Sequence, residues 1–155
     1  MAPTSWKQSQ KNLQYQNLRS NKNDRRKNNK KDNGKKLAII LVRGLMGMKR
    51  DMRLTTELLK IFKKNTCVVV EDNKVMRGMA NKIKDFATYG ELDDKTHKLL
   101  LEKRAKTKKG EITNVFHLNP PRKGFERNGI KQPFTNKGAL GYRKDKINDL
   151  IQRMI

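Results

Sequence analysis

The chain has 155 residues, and its 38 Lys and Arg against 15 Asp and Glu give a formal net charge of +23 at pH 7. Because such a charge opposes compaction through self-repulsion, we expect a polyanionic partner, with nucleic acid as the first candidate and an anionic membrane surface as the second. No apolar run approaches the roughly 18 residues of a membrane-spanning helix, and no apolar secretory leader is visible. The single cysteine, Cys67, excludes an internal disulfide framework and favours the cytoplasm.

Residues 1–36 form a basic N-terminal arm with few apolar side chains. Such a segment cannot bury enough apolar surface to offset its chain entropy, so we predict that it is disordered without RNA. Basic arms of this kind often bind nucleic acid, although a solubilising tail or a nuclear-import signal at 25–31 are alternatives. The candidate RNA-binding residues of the arm are Arg25, Arg26, Lys27, Lys30 and Lys31.

From Leu37 onwards, apolar side chains recur at the spacings of strands and helices. Short runs of branched residues predict buried strands, and apolar positions three and four residues apart predict amphipathic helices. Gly90 interrupts this pattern. The expected elements are a strand at 37–42, a helix at 51–64, a strand at 66–70, a helix at 75–86, a helix from Asp93-Asp94 to Arg104, and a strand at 112–118.

Pro120-Pro121 ends the last strand, and residues 122–142 are rich in Gly, Pro, Asn and basic residues with little core material. A structureless tract of about 20 residues is unusual inside a compact domain. We therefore expect this tract to extend over the surface of a partner. A short amphipathic helix from Ile147 to Met154 is predicted to follow it.

These elements predict an α+β fold in which a small sheet is covered by helices on one face. The other face and the ends of the sheet would then be free to meet RNA. The chain divides into the basic arm at 1–36, an α+β RNA-binding domain at 37–119, and a basic extension with the C-terminal helix at 120–155.

Residues that carry catalysis or bind metals are sparse. His97, His117 and Cys67 are too few for a structural zinc site, which uses four ligands. We interpret His97 as a helix-surface residue, His117 as an outward-facing strand residue, and Cys67 as a buried, inert thiol. Adjacent acids fit turn and capping roles, and no phosphate-binding loop or dinucleotide motif is present. The sequence therefore predicts no catalytic residue, metal, cofactor or small-molecule substrate.

Basic side chains concentrate in the predicted loops and on the second helix. Arg matches phosphate geometry with its fork of donors, and Lys supplies a mobile charge. Any one of them could be an ordinary solvated charge, but the net charge of +23 argues for a shared polyanionic ligand. Beyond the arm, the candidate RNA-binding residues are Arg43, Lys49, Arg50, Arg53, Arg77, Lys82, Lys84, Arg122, Lys123, Arg127, Lys131, Arg143 and Lys144.

Long stretches of the chain resemble a known family. Residues 37–104 contain LAIILVRGLMGMKRDMRLTTELLKIFKKNTCVVVEDN and VMRGMANKIKDFATYGELD, and the chain ends with VFHLNPPRKGFERNGIKQPFTNKGALGYRKDKINDLIQRMI. The first two resemble the large-subunit ribosomal protein L-thirty family, whose eukaryotic members are called L-seven. The last resembles the C-terminal extension of the archaeal form.

The resemblance implies a three-stranded antiparallel sheet with packed helices, of ferredoxin-like type, and a structural place in the large ribosomal subunit. The implied partners are large-subunit ribosomal RNA, a position near the 5S RNA, and neighbouring ribosomal proteins. Family-type RNA contacts would fall on Arg43, Lys49, Arg53, Arg77, Arg122, Arg127 and Arg143.

Some positions depart from the family pattern. Lys74 stands where Pro is usual, Tyr89 replaces Trp, and Ala105–Glu111 replaces a longer, mostly helical archaeal segment. The alternative to a ribosomal protein is a free basic RNA chaperone or nucleic-acid-compacting protein, against which the ordered strand–helix pattern argues. A small nuclease would need clustered acids or histidines, and the sequence has no obvious set.

Overall fold

The computed structural model describes residues 35–105, 107–108 and 111–155, so the predicted arm, apart from Lys35 and Lys36, lies outside the described residues. Lys35–Ile155 forms one compact unit. Its helices are α1 (Arg50–Leu58), α2 (Lys74–Lys82), α3 (Asp94–Arg104) and α4 (Ile147–Met154). Its strands are β1 (Lys36–Leu41), β2 (Thr66–Glu71), β3 (Ala87–Leu92), β4 (Thr107–Lys108), β5 (Glu111–Ile112), β6 (Val115–His117) and β7 (Gly141–Tyr142). Short 3-10 turns occupy Phe134–Asn136 and Lys144–Lys146.

Five strands form one mixed sheet in the order β6-β2-β1-β3-β7, and β4 and β5 form a separate two-stranded hairpin. Pairing is antiparallel except between β3 and the short edge strand β7, which are parallel. At the centre, Ile39 of β1 pairs with Val68 on one side and Tyr89 on the other. Residues 37–41 are all fully buried, as expected of a strand that is covered on both faces.

Helices pack on both faces of this sheet. Ala38 and Ile40 of β1 share a core cluster with Leu100 of α3 and Leu150 of α4. The alternate β1 residues Leu37, Ile39 and Leu41 belong to a second cluster, which contains Ala80 of α2 and contacts Met52 of α1. The α+β class is confirmed, but the expectation of helices on one face only is wrong. The unbroken apolar run at 37–42 requires cover on both sides.

The third long strand is β3, at a place where the sequence predicted only an interruption. Its sequence ATYGEL has little of the branched apolar content that indicates a strand, and Gly90 is in its interior. The segment expected to form the third strand, 112–118, contributes β6 instead, which pairs with β2. It shares a sheet with β1, as expected, but β2 lies between them. The three-stranded expectation is therefore corrected to five strands.

The tract at 122–142 does not extend away from the domain but folds back on it. The N–H of Phe134 donates to the carbonyl of Leu140 at 2.7 Å, and the N–H of Ala139 donates to the carbonyl of Gly129 at 3.1 Å. Ala139 and Leu140 are buried in a small cluster with Val42. The tract has little apolar material, but several of its backbone groups bond to one another, which stabilises the folded-back conformation.

Helix α1 is shorter than predicted. It ends at Leu58, not at 64, and Lys60 then adopts a left-handed backbone with φ of 58°. Asn65 is left-handed as expected, at φ 61°, but it joins strands instead of ending the helix. Its N–H donates to the carbonyl of Leu41 at 2.8 Å, and its carbonyl accepts from Leu118 at 2.9 Å. Among the helices of the described residues, none combines the length and apolarity needed to cross a membrane.

Candidate nucleic-acid interface

Arg43 holds the loop after β1 against the residues that precede β3. The N–H groups of Val42 and Arg43 both donate to the carbonyl of Phe86 at 3.0 Å. The Arg43 guanidinium lies 4.7 Å from the centroid of the Phe86 ring, and its Nη1 donates to the carbonyl of Asp85 at 3.1 Å. Arg43 is thus a half-buried cation whose side chain is positioned before any ligand arrives.

Beside Arg43 lies a cleft of about 910 Å³, lined by the turn after α2, β3 and residues 131–146. We call it the basic cleft. It brings together five predicted RNA-binding residues from three separate parts of the sequence: Arg43, Lys84, Lys131, Arg143 and Lys144. Lys146 also lines it, and the carboxylates in its lining are Asp85 and Asp145. The excess of cations makes this cleft attractive to a polyanion.

Arg143, predicted as an RNA contact, lies in the floor of the basic cleft, and only 2% of the residue is exposed. Its Nη1 and Nη2 each donate to a carboxylate oxygen of Glu126 at 2.6 Å. Its Nε donates to Thr88 Oγ1 at 2.8 Å, and Nη2 also donates to the carbonyl of Ala139 at 3.0 Å. These four hydrogen bonds hold the guanidinium within the protein, which argues against the predicted RNA contact at Arg143.

Glu126 connects three segments through its carboxylate. It accepts from Arg143, and Arg153 Nη2 lies 3.4 Å from its Oε1. Burial raises the pKa of Glu126, but the hydrogen bonds and charge of Arg143 outweigh this effect, so the pKa lies below its ordinary value. The ionised Glu126 therefore fastens its part of the tract to Arg143, directly after β7, and to Arg153 of α4.

Two tyrosines stand at the other side of the basic cleft. The ring centroids of Tyr89 and Tyr142 are 5.3 Å apart. The Tyr142 hydroxyl donates to Glu91 Oε1 at 2.6 Å, and Arg77 Nη2 donates to the same oxygen at 3.1 Å. The hydrogen bond from Arg77 lowers the pKa of Asp72, its bidentate partner. Arg77 is thus exposed on one side, while two carboxylates compensate its charge.

The other predicted residues are exposed at three further places. They are Lys49, Arg50 and Arg53 at the start of α1, Lys82 at the end of α2, and Arg122, Lys123 and Arg127 in the tract at 122–142. The predicted arm residues Arg25, Arg26, Lys27, Lys30 and Lys31 lie outside the described residues. Sequence reasoning missed Phe134, Tyr142 and Lys146 in the basic cleft. The sequence signal that could have found them is the occurrence of two aromatic residues, Phe134 and Tyr142, among basic residues.

The histidines and the cysteine do not form a reactive site. His97 Nδ1 lies 3.1 Å from Lys36 Nζ, and burial together with the Lys36 charge lowers the pKa of His97. His117 is exposed on β6, where its Nδ1 lies 3.3 Å from Thr66 Oγ1. Cys67 is fully buried, which raises the pKa of its thiol to about 12. Within the described part of the chain, no three His, Cys, Asp or Glu side chains are grouped as metal ligands.

Clustered Lys and Arg on one folded domain are the electrostatic signature of nucleic-acid binding. A profile of the family described as ribosomal protein L30p/L7e matches residues 37–86. The large ribosomal subunit protein uL30 of Methanococcus maripaludis is 36% identical over 151 aligned positions, which cover 76% of this chain and 98% of the relative. The protein of the same name from Methanopyrus kandleri is 36% identical over 149 positions, covering 74% and 100%. That of Thermoplasma volcanium is 34% identical over 154 positions, covering 77% and 92%.

The chain therefore belongs to the ribosomal protein L30p/L7e family. In each alignment, the aligned positions outnumber the residues that this chain contributes, so the archaeal relatives contain segments without a counterpart here.

Proposed function

We infer that this chain is a structural constituent of the large ribosomal subunit, in the cytoplasmic ribosome, where it binds ribosomal RNA. The observation that carries this inference is its alignment with nearly the whole length of archaeal proteins named large ribosomal subunit protein uL30. The net charge of +23 agrees with an RNA partner. Other ribosomal proteins are its neighbours, and the family implies a structural role. We propose that the chain has no enzymatic activity.

We further propose that the exposed basic residues contact RNA. Lys49, Arg50 and Arg53 support this, because they are exposed at the N-terminus of α1, where the helix dipole disfavours cations and favours anions. A bound phosphate would offset that unfavourable placement. The proposed contacts of the described surface are Arg43, Lys49, Arg50, Arg53, Arg77, Lys82, Lys84, Arg122, Lys123, Arg127, Lys131 and Lys144. The five predicted residues of the arm are proposed to bind RNA as well.

Fractionation of a cell lysate on sucrose gradients tests the assignment to the large subunit. The tagged full chain should co-migrate with large subunits at moderate salt, because many phosphate contacts act together. A spread through the light fractions would contradict this and would favour the free RNA chaperone. Crosslinking in the large-subunit fractions, followed by sequencing of the attached RNA, tests the proposed position near the 5S RNA, which rests on the family resemblance.

Removal of the three cations at the start of α1 should weaken RNA binding and reduce its dependence on salt. For the full chain with Lys49→Ala, Arg50→Ala and Arg53→Ala, the slope of log Kd against log salt should fall by about 0.7 to 0.9 for each phosphate that the variant no longer neutralises. The measurement is a titration of deproteinised large-subunit RNA at several salt concentrations.

A matched triple variant on α3 controls for the change in net charge. Lys95, Lys98 and Lys103 are exposed on this helix and are not among the proposed contacts. Their replacement by Ala removes the same charge and should leave most of the salt slope in place. Equal losses of affinity in the two triple variants would show that the cations at the start of α1 contribute no more to RNA binding than other exposed lysines do.

A further inference from the structure

We propose that the basic cleft holds unpaired nucleotides of RNA, with a base against Tyr142 and phosphates on the surrounding cations. This proposal rests on the proposed binding of ribosomal RNA. It specifies that this one site binds RNA in unpaired form. Charge, shape and the aromatic side chains each support it.

The charge of the basic cleft favours a polyanion. Arg143 is neutralised by Glu126, so the cations left for a ligand are those at the rim. They outnumber the carboxylates of the lining, Asp85 and Asp145. Phosphates of a nucleic acid are spaced along a flexible backbone and can reach several of these cations at once. The rim cations are Arg43, Lys84, Lys131, Lys144 and Lys146.

The size of the basic cleft suits a few nucleotides of RNA. Its volume of about 910 Å³ is in the range of pockets that hold a small organic ligand, roughly 300–1,000 Å³. A few nucleotides can enter such a space, whereas a double helix would have to lie across its mouth. Paired bases are also stacked on one another, which hides their faces from a side chain.

Aromatic rings in the basic cleft offer stacking surfaces. Tyr142 is 38% exposed on the edge strand β7, and its hydroxyl is bound to Glu91, so the ring is held in place without a ligand. The Phe134 ring has Arg143 at 4.7 Å and Lys146 at 5.8 Å from its centroid. Stacking of bases on aromatic rings inside a positively charged groove is how proteins bind single strands without reading their sequence.

A second hollow of about 360 Å³ adjoins the basic cleft and could continue the path of a bound RNA strand. It shares Asn81, Tyr89 and Tyr142 with the basic cleft and is lined further by Arg77 and Gly78. The tyrosines therefore line both hollows. A strand leaving the basic cleft would pass these two rings and reach the exposed side of Arg77.

Fluorescence anisotropy of the full chain tests this proposal with two RNAs of equal length. The probes are an oligouridine of about 12 nucleotides, within the usual range of single-strand sites, and its duplex with oligoadenosine. Tyr142→Ala should weaken binding of the single strand by roughly 5- to 150-fold, the loss expected for one stacked base. Binding of the duplex and both salt slopes should stay unchanged, because the variant removes no charge.

Two further variants separate stacking from damage to the fold. Tyr142→Phe keeps the ring and loses only the bond to Glu91, so it should bind the single strand clearly more tightly than Tyr142→Ala does. Phe62→Ala removes another exposed aromatic, 58% exposed and outside the basic cleft, and should have no effect on either RNA. Urea unfolding of each variant shows whether the fold is retained.

The proposal is overturned if Tyr142→Ala weakens both RNAs equally or neither of them. Ultraviolet crosslinking of purified large subunits gives a second readout, in which the peptide containing Tyr142 should carry RNA. A crosslink from that peptide to another protein would make the basic cleft a protein-docking site instead. Failure of the chain to co-migrate with large subunits would remove the proposed function. Co-migration with equal losses of affinity on both RNAs would remove only this assignment.

Discussion

Replacement of Arg143 by Leu is expected to lower the free energy of unfolding by about 3 kcal/mol, because it leaves the Glu126 carboxylate without its main counter-ion. Breaking a buried pair by removing one partner costs about 3–5 kcal/mol. The Glu126 side chain is 20% exposed and retains Arg153 at 3.4 Å, which places the loss at the lower end. Urea unfolding followed by circular dichroism at fixed salt gives the measurement.

Arg127→Leu is the matched control for this variant, because Arg127 is an exposed arginine next to Glu126 in sequence. Its loss of stability should stay within about 0.5 kcal/mol. The double variant Arg143→Leu/Glu126→Leu should recover part of the stability lost in Arg143→Leu, since no carboxylate is then left without its partner. If Arg143→Leu is as stable as the unchanged chain, the Arg143–Glu126 pair contributes nothing to the free energy of unfolding.

The same pair predicts how stability depends on pH. The folded chain holds the pKa of Glu126 below its ordinary value of 4.5. The contribution of the pair is therefore complete above pH 4.5 and is lost as the pH falls through the lower pKa of the folded state. Arg143→Leu should lose less stability than the unchanged chain over that acidic range.

Gly90→Ala is expected to lower the free energy of unfolding by about 2 kcal/mol or more, since overpacking costs typically 1–3 kcal/mol. A Cβ at this position would clash with the backbone carbonyl of Lys144 and would lie 3.0 Å from Ile147 Cβ. Both obstacles belong to the segment that packs on β3, so strand and segment would have to separate. Urea or thermal unfolding measures the effect.

Gly78→Ala provides the opposite case in the same chain. Gly78 is inside α2, and a Cβ there would meet nothing within 4 Å. The substitution should raise stability by roughly 0.5–1 kcal/mol, the helical preference for Ala over Gly. Equal effects of the two glycine substitutions would contradict the close approach of residues 144–147 to β3.

Local patterns were sufficient for several elements. The branched apolar run at 37–42 and the run at 66–70 have the composition of buried strands, and both are strands of the sheet. The apolar spacing from Ile147 to Met154 is that of a helix with one buried face, and α4 buries those residues. In these segments local preference and tertiary burial agree, so the pattern alone was a sufficient guide.

Strand β3 could not be predicted in this way. Thr88 and Gly90 are fully or nearly buried only because β1 pairs with β3 and residues 144–147 pack against it. Position 90 needs glycine because the backbone of a segment more than fifty residues further along the chain approaches it closely. A local pattern contains no information about so distant a neighbour.

By itself, the sequence determined the α+β class, the positive charge and therefore the kind of partner, and the family, because composition and long motifs do not depend on distant contacts. Only the tertiary structure decided which cations lie side by side. Parallel pairing of Thr88 with Gly141 and of Tyr89 with Tyr142 brings residues 131–146 beside Arg43 and Lys84. The same folding buries Arg143 against Glu126, although its neighbour Lys144 is exposed. Adjacent basic residues thus differ in role because burial is set by long-range packing, which charge in the sequence does not report.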